Sequence, residues 1–204
     1  MTAARAAAQV TPAEYLAQER QAQTKSEYLG GFIVAMTGAS RLHNYVAGDI
    51  FGELREQLRN SPCDLFTGDM RVKVTETGDY TYPDVVVACG DVAFEDAELD
   101  TLLTPTVIIE VLSPSTETYD RGAKFISYRQ LPSLQEYVLV AQDRPRIEHY
   151  ARHGEQWILT TVTDLDASVR LPAIGCELRL RDVYRRVNLE DRSATLVEDG
   201  HPPR

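Results

Sequence analysis

One acid stands where acids are rare. Glu110 lies in Val107-Ile108-Ile109-Glu110-Val111-Leu112, an apolar run of strand length. An ionised carboxylate there is costly unless it is paired or bound to a metal. Alternation offers a second account, in which Glu110 shares a wet face with Ile108 at the strand's end. Asp84 weighs against it. Tyr82-Pro83-Asp84 precedes the short apolar run Val85-Val86-Val87-Ala88, and a proline there marks a strand entry. Two adjacent strands can therefore aim Asp84 and Glu110 at one point. A pair of carboxylates suits a hard divalent cation, Mg²⁺ or Mn²⁺, with waters completing the shell. Such an ion polarises a phosphate oxygen and acidifies water. Lys124 can supply the accompanying positive charge, because it follows Asp120 by four residues in the helix expected after the Glu110 strand. Asp120 itself reads as that helix's cap rather than a ligand. Lys73 is a rival cation, on an alternating strand with Arg71, but Lys124 is preferred.

The elements that must position these residues follow from hydrophobic period and capping chemistry. Thr11-Pro12-Ala13-Glu14 predicts a capped helix ending near Ala22. Ser40 can cap the longest helix, reaching about Arg59, with Leu42, Val46, Ile50, Leu54 and Leu58 as one buried stripe. Strands are expected over 32–36, 70–74, 85–88, 106–112 and 136–140, and a third helix over 120–130. Residues 146–152 and 156–163 alternate across His153-Gly154 and predict a hairpin. A further short strand is expected within 172–180, then a helical turn over 180–184. The acidic stretch 91–100 reads as an exposed loop, and Thr77-Gly78-Asp79 as a turn. The result is an α/β fold, a mixed β-sheet flanked by helices, in one domain over residues 11–187. Residues 1–10 read as a flexible tail and 188–204 as a disordered one.

Bulk composition narrows the function classes. The 204 residues carry 21 Lys and Arg against 31 Asp and Glu, a net charge of −10. That opposes a general DNA-coating protein, yet a carboxylate-rich metal site is itself acidic. Three separated cysteines without a CxxC pair fit a reducing cytosol better than a disulfide framework, and give no support to a structural zinc site. The start lacks a secretory h-region and no apolar run is long enough to span a membrane, so a cytoplasmic protein is expected.

Several blocks together resemble one family. They are Glu27-Tyr28-Leu29-Gly30-Gly31, Ala39 through His43-Asn44, Ser61-Pro62-Cys63, Asp69-Met70-Arg71-Val72, Tyr82-Pro83-Asp84-Val85, and Glu110-Val111-Leu112-Ser113-Pro114-Ser115-Thr116 with Asp120, Lys124 and Tyr128. They are similar to the Uma-two family, a restriction-endonuclease branch of the PD-(D/E)XK nuclease superfamily, over roughly residues 11–187. The resemblance implies that Pro83-Asp84 is the PD element and Glu110 the (D/E). Leu112 stands where the superfamily usually has lysine, and Lys124 matches a lysine that has migrated to the following helix. Glu27 is implied as a third carboxylate near the metal, with His43 and Asp69 as further polar positions of less defined role.

The expectation is thus a metal-dependent endonuclease acting on DNA. Asp84, Glu110 and Glu27 hold Mg²⁺ or Mn²⁺, and Lys124 positions water and stabilises developing charge. Arg71, Lys73 and Arg121 are the candidate phosphate contacts. A homodimer is expected, since two sites can cut two strands. The alternative is a catalytically inactive homodimer that binds nucleic acid or regulates. A metal-independent hydrolase using Asp84 and Glu110 as acid and base ranks lower, because a sugar cleft needs more aromatic surface than one tryptophan gives.

Overall fold

The computed structural model describes residues 9–74 and 78–188. Thr11 Oγ1 accepts from Glu14 N, and the Glu14 carboxylate accepts from Thr11 N–H at 2.8 Å, so α1 (Pro12–Glu19) opens on a closed capping box. Then come β1 (Ser26–Leu29) and β2 (Phe32–Ala35), joined through Gly30 and Gly31 at φ 56° and 93°, backbone that glycine adopts without penalty. Ser40 caps α2 (Arg41–Gln57) by accepting from His43 N at 3.1 Å. Six strands follow: β3 (Cys63–Thr67), β4 (Arg71–Lys73), β5 (Tyr80–Thr81), β6 (Val85–Cys89), β7 (Thr101–Leu102) and β8 (Val107–Leu112). Next is a composite helix of α3 (Glu117–Tyr119), one π-helical turn (Asp120–Lys124) and α4 (Phe125–Tyr128). The chain finishes with β9 (Glu136–Ala141), β10 (Ile147–His153), β11 (Gln156–Val162), β12 (Ser168–Leu171), β13 (Cys176–Arg179) and α5 (Leu180–Val183).

The expected α/β architecture is present, but its strands divide among three sheets. A six-stranded sheet runs β11-β10-β9-β8-β6-β3, mixed because β8 and β9 are parallel. A five-stranded sheet runs β2-β1-β5-β4-β7, and β12 pairs with β13 separately. The chain passes between the two larger sheets at 67–71, from β3 to β4, and again at 81–85, from β5 to β6.

Both faces of the six-stranded sheet are buried at its centre, which explains the unbroken apolar runs of β6, β8 and β9. On one face Val85, Val87, Ile109 and Val138 pack with Val46, Ile50 and Leu54 of α2 and with Val183 of α5. On the other, Ile108, Leu112 and Leu139 pack with Tyr128, Leu131 and Leu134. Of the predicted stripe of α2, Val46, Ile50, Leu54 and Leu58 are buried and Leu42 is partly buried. The hairpin forms as β10 and β11, with His153 paired to Gln156.

Several expectations change. Cys63 and Cys89 form a disulfide across the last pair of the β3–β6 ladder, leaving Cys176 as the free thiol among the described residues. That overturns the reading of three thiols; register, not sequence spacing, brings the two together. Val10 is tied down, its N–H donating to Gly31 O at 3.0 Å. The 91–100 stretch is not simply solvated. Asp96 and Asp100 clamp Arg20, and Glu95 accepts from Lys73 and Tyr80. The tail expectations for 1–8 and 189–204, and the start of the turn at Thr77, lie outside the described residues. Among the described residues, no helix is long and apolar enough to cross a membrane.

Candidate functional site

Register brings the two acids together. β6 runs antiparallel to β8 with Val85 opposite Ile109. One step beyond that pair on each strand lie Asp84 and Glu110, side by side on the same face. Asp84 Oδ2 accepts from Val111 N–H at 2.7 Å, closing the end of the ladder. Every residue of β8 is buried, and Glu110 is only 4% exposed. The wet-face account of Glu110 therefore fails: Ile108 and Glu110 share a face, but that face is core.

Lys124 arrives from the π-helical turn. Its Nζ lies 2.8 Å from Glu110 Oε1, 3.2 Å from Glu27 Oε1 and 3.7 Å from Asp120 Oδ1. Glu27 comes from β1, where Tyr82 N–H also donates to its Oε1 at 3.2 Å. Tyr128 OH donates to Glu110 Oε1 at 2.9 Å and meets Thr81 Oγ1 at 2.9 Å. His43, in the first turn of α2, places Nε2 2.9 Å from Asp84 Oδ1. Asp84, Glu110, Glu27, Asp120, Lys124 and His43 all line one cleft of about 1270 Å³.

The charges do not balance. Four carboxylates face one ammonium and one histidine. Burial pushes the Glu110 carboxyl well above the usual carboxylate range; Lys124 opposes that, while Asp120 and Asp84 add to it. Burial likewise raises Asp84 against His43 and the Val111 N–H, and raises Asp120 against Lys124. Burial alone would lower Lys124, but Glu110, Glu27 and Asp120 outweigh it and hold the ammonium charged. The Tyr128 phenol, buried beside Glu110, stays protonated and can only donate to it.

The donor chemistry can be tested against a divalent ion. Lys124 and Tyr128 both approach Glu110 at Oε1, and Lys124 and Tyr82 N both approach Glu27 at Oε1; none of these contacts uses Oε2. The Asp84 oxygens each carry one bond, leaving lone pairs. No trio of His, Cys, Asp or Glu among the described residues is arranged to hold an ion unaided. The set is Asp84 with Glu110, and Mg²⁺ commonly takes one or two carboxylates with water and substrate oxygens completing its octahedron. The residues present fit that ion. Glu27, like Glu110, meets Lys124 through Oε1, so its implied place as a third carboxylate beside the ion stays compatible with that pair.

The candidate phosphate contacts lie elsewhere. Arg71, 3% exposed, bonds Thr101, Tyr82 and Asp100. Lys73 pairs with Glu95, and Arg121 with Glu117 and Glu148. None of the three lines the cleft, so as free cations for substrate they are corrected: each neutralises an acid of its own. Asp69 does line it, paired with Lys25. Asp120 is no cap; it is buried at the start of the π-helical turn. Sequence reasoning missed the role of Tyr128 and the presence of Lys25. An aromatic four residues after Lys124 on the same helix was the available signal for the first.

Comparison with known proteins identifies a family and a shared fold. A family described as "Putative restriction endonuclease" (Uma2) matches residues 12–182. The uncharacterized protein sll1609 of Synechocystis is 38% identical over 161 residues, covering 78% of this chain and 91% of that one. The uncharacterized protein slr1290 of the same organism is 33% identical over 178 residues, covering 86% and 92%. A crystal structure of a putative nuclease belonging to DUF820 from Anabaena variabilis shares the fold, with TM-score 0.71 and 18% identity over 86% of this chain and 98% of that one.

Proposed function

Because the chain belongs to the Uma2 family of putative restriction endonucleases, we propose that it is a metal-dependent nuclease that hydrolyses DNA phosphodiester bonds. The observation that carries this is the juxtaposition of Asp84 and Glu110 on neighbouring strands, with the Lys124 ammonium on Glu110. Asp84 and Glu110 would hold Mg²⁺ or Mn²⁺. When bound, the ion supplies Lewis-acid polarisation of the phosphate and acidified water.

The chain's own groups do the rest. Lys124 remains a cation in a buried setting, where it can stabilise negative charge developing on the phosphate oxygens. Glu27 and Asp120 keep its ammonium in place. Tyr128 fixes Glu110 through Oε1, and His43 fixes Asp84 through Oδ1. A homodimer would present two such sites to two strands.

The test is cleavage of supercoiled plasmid and of labelled DNA and RNA oligonucleotides with Mg²⁺ or Mn²⁺. The wild type is expected to cut DNA, and Asp84→Asn or Glu110→Gln to lose about 10²-fold or more. Equal cutting by wild type and both variants ends the reading; cutting of RNA alone changes its substrate. One observation favours a second reading, a non-catalytic nucleic-acid-binding protein: Lys124 is already held by three acids. DNA binding without turnover, in a protein that takes up Mn²⁺ by calorimetry, would select it.

A further inference from the structure

With Arg71, Lys73 and Arg121 turned to other partners, the cleft needs another group to meet a substrate's phosphates. Lys25 lines it together with Asp84, Glu110 and Lys124. Lys124 is buried, but the Lys25 side chain is 41% exposed. Two residues before Glu27, Lys25 lies at the entry to β1. Its Nζ donates to Gly68 O at 2.7 Å and to Asp69 Oδ1 at 2.8 Å, and sits 5.4 Å from the centre of the Tyr82 ring.

These contacts fix where the charge sits. Gly68 lies against the backbone of the proposed metal ligand: a Cβ built on it would be 3.7 Å from Asp84 Cα. The carbonyl that anchors Lys25 is thus beside the peptide that carries Asp84. The carbonyl and the aromatic ring hold the ammonium without neutralising it. The neutralising group is Asp69, whose side chain is 86% exposed. An ion pair with so exposed a partner is weak and easily exchanged. A phosphate oxygen offers Lys25 the same anionic contact with more charge.

Resting on the nuclease reading, we propose that Lys25 is a substrate-binding residue that contacts a backbone phosphate next to the scissile one, and that Asp69 occupies that place until the substrate arrives. Asp69 then competes with substrate, so the two members of one ion pair have opposite effects on binding. A pair that merely struts β1 against the β3–β4 connection would lose affinity and stability from either side.

The experiment measures fluorescence anisotropy of a labelled DNA oligonucleotide with the full chain in Ca²⁺ buffer across a salt series, with thermal melts of each variant. Lys25→Met is expected to weaken binding several-fold and to reduce the slope of log K against log salt by about one. Asp69→Asn is expected to tighten binding several-fold, and Lys25→Arg to bind like the wild type. Unchanged affinity and slope in Lys25→Met overturns the inference. So does parallel weakening by Lys25→Met and Asp69→Asn, the signature of a strut. Should Lys25→Met fail to fold, Asp69→Asn decides alone, since tightening supports the competition and weakening ends it. Absence of DNA binding by the wild type would remove the reading as a DNA nuclease and this inference together, whereas a binding wild type with an unaffected Lys25→Met removes only the latter.

Discussion

Two ion clusters in this domain treat their acids in opposite ways. In one, Arg20 and Arg71 meet Asp96 and Asp100, two cations against two anions. Bonds from Arg20, then Arg71, hold the Asp100 carboxyl far below the usual carboxylate range, and Arg20 does the same more mildly for Asp96. In the other, Lys124 and His43 face Asp84, Glu110, Glu27 and Asp120, and burial raises three of the four acids. The first cluster is complete and ties α1 to β4 and the approach to β7. The second is electrically unfinished, and a divalent cation would finish it. Ion-pair geometry is alike in the two clusters; the balance of charge is what differs.

The sharpest way to break this contrast is Lys124→Met. It leaves buried acids without their ammonium and should lower stability by about 3–5 kcal/mol, read from denaturant unfolding without metal. No loss would mean the acids are protonated already and the site is not charged as argued. Arg71→Met should cost about 2–3 kcal/mol, less than Lys124→Met, because the exposed side of Asp100 can rehydrate. A larger loss than at Lys124 would reverse the ranking of the clusters.

A third test turns on sign. Glu110→Gln removes a charge the metal-free fold opposes, so it should raise metal-free stability by on the order of 1 kcal/mol, while Asp100→Asn lowers it. The pH dependence follows. Glu110, Asp84 and Asp120 bind protons more tightly folded than unfolded, so folded-state proton uptake exceeds unfolded uptake above the ordinary carboxylate range. Stability of the metal-free protein should then fall as pH rises from about 4 through those raised values. Asp100 and Asp96 act oppositely, contributing stability above about pH 4 that is lost as pH falls through their lowered values. Melting curves against pH, with and without Mg²⁺, should show the upper loss relieved by the ion and the lower one untouched. Smallest of all, Arg20→Ala should cost about 1 kcal/mol or less in unfolding experiments, for its pairs are partly exposed.

What the sequence disclosed was whatever local chemistry or strict periodicity decides. Thr11 and Glu14 announce a capping box, α2 its stripe, and β10–β11 their alternation. Glu110 was legible for a different reason, since an acid inside an apolar strand contradicts its surroundings. The two-residue strands β5 and β7 were invisible, because they exist only through pairs such as Tyr28–Tyr80 and Arg71–Thr101. Arg71, Lys73 and Arg121 were misjudged for the same reason. Their partners Thr101, Glu95 and Glu148 are 30, 22 and 27 residues away, and sequence spacing says nothing of such pairs. Asp120 looked like a cap because aspartate favours that place; only the folded helix shows that the chain was already helical before it.

The widened turn between α3 and α4 also sets how this chain can change length. At 3.6 residues per turn, one residue is worth about 100° of rotation. Deleting Gly122 would let the turn relax to ordinary pitch and swing Asp120 and Arg121 around the axis, away from Lys124 and Glu148. A single-residue gain or loss within this helix would therefore turn one wall of the cleft away from the acids on β1, on β8 and at the entry to β6.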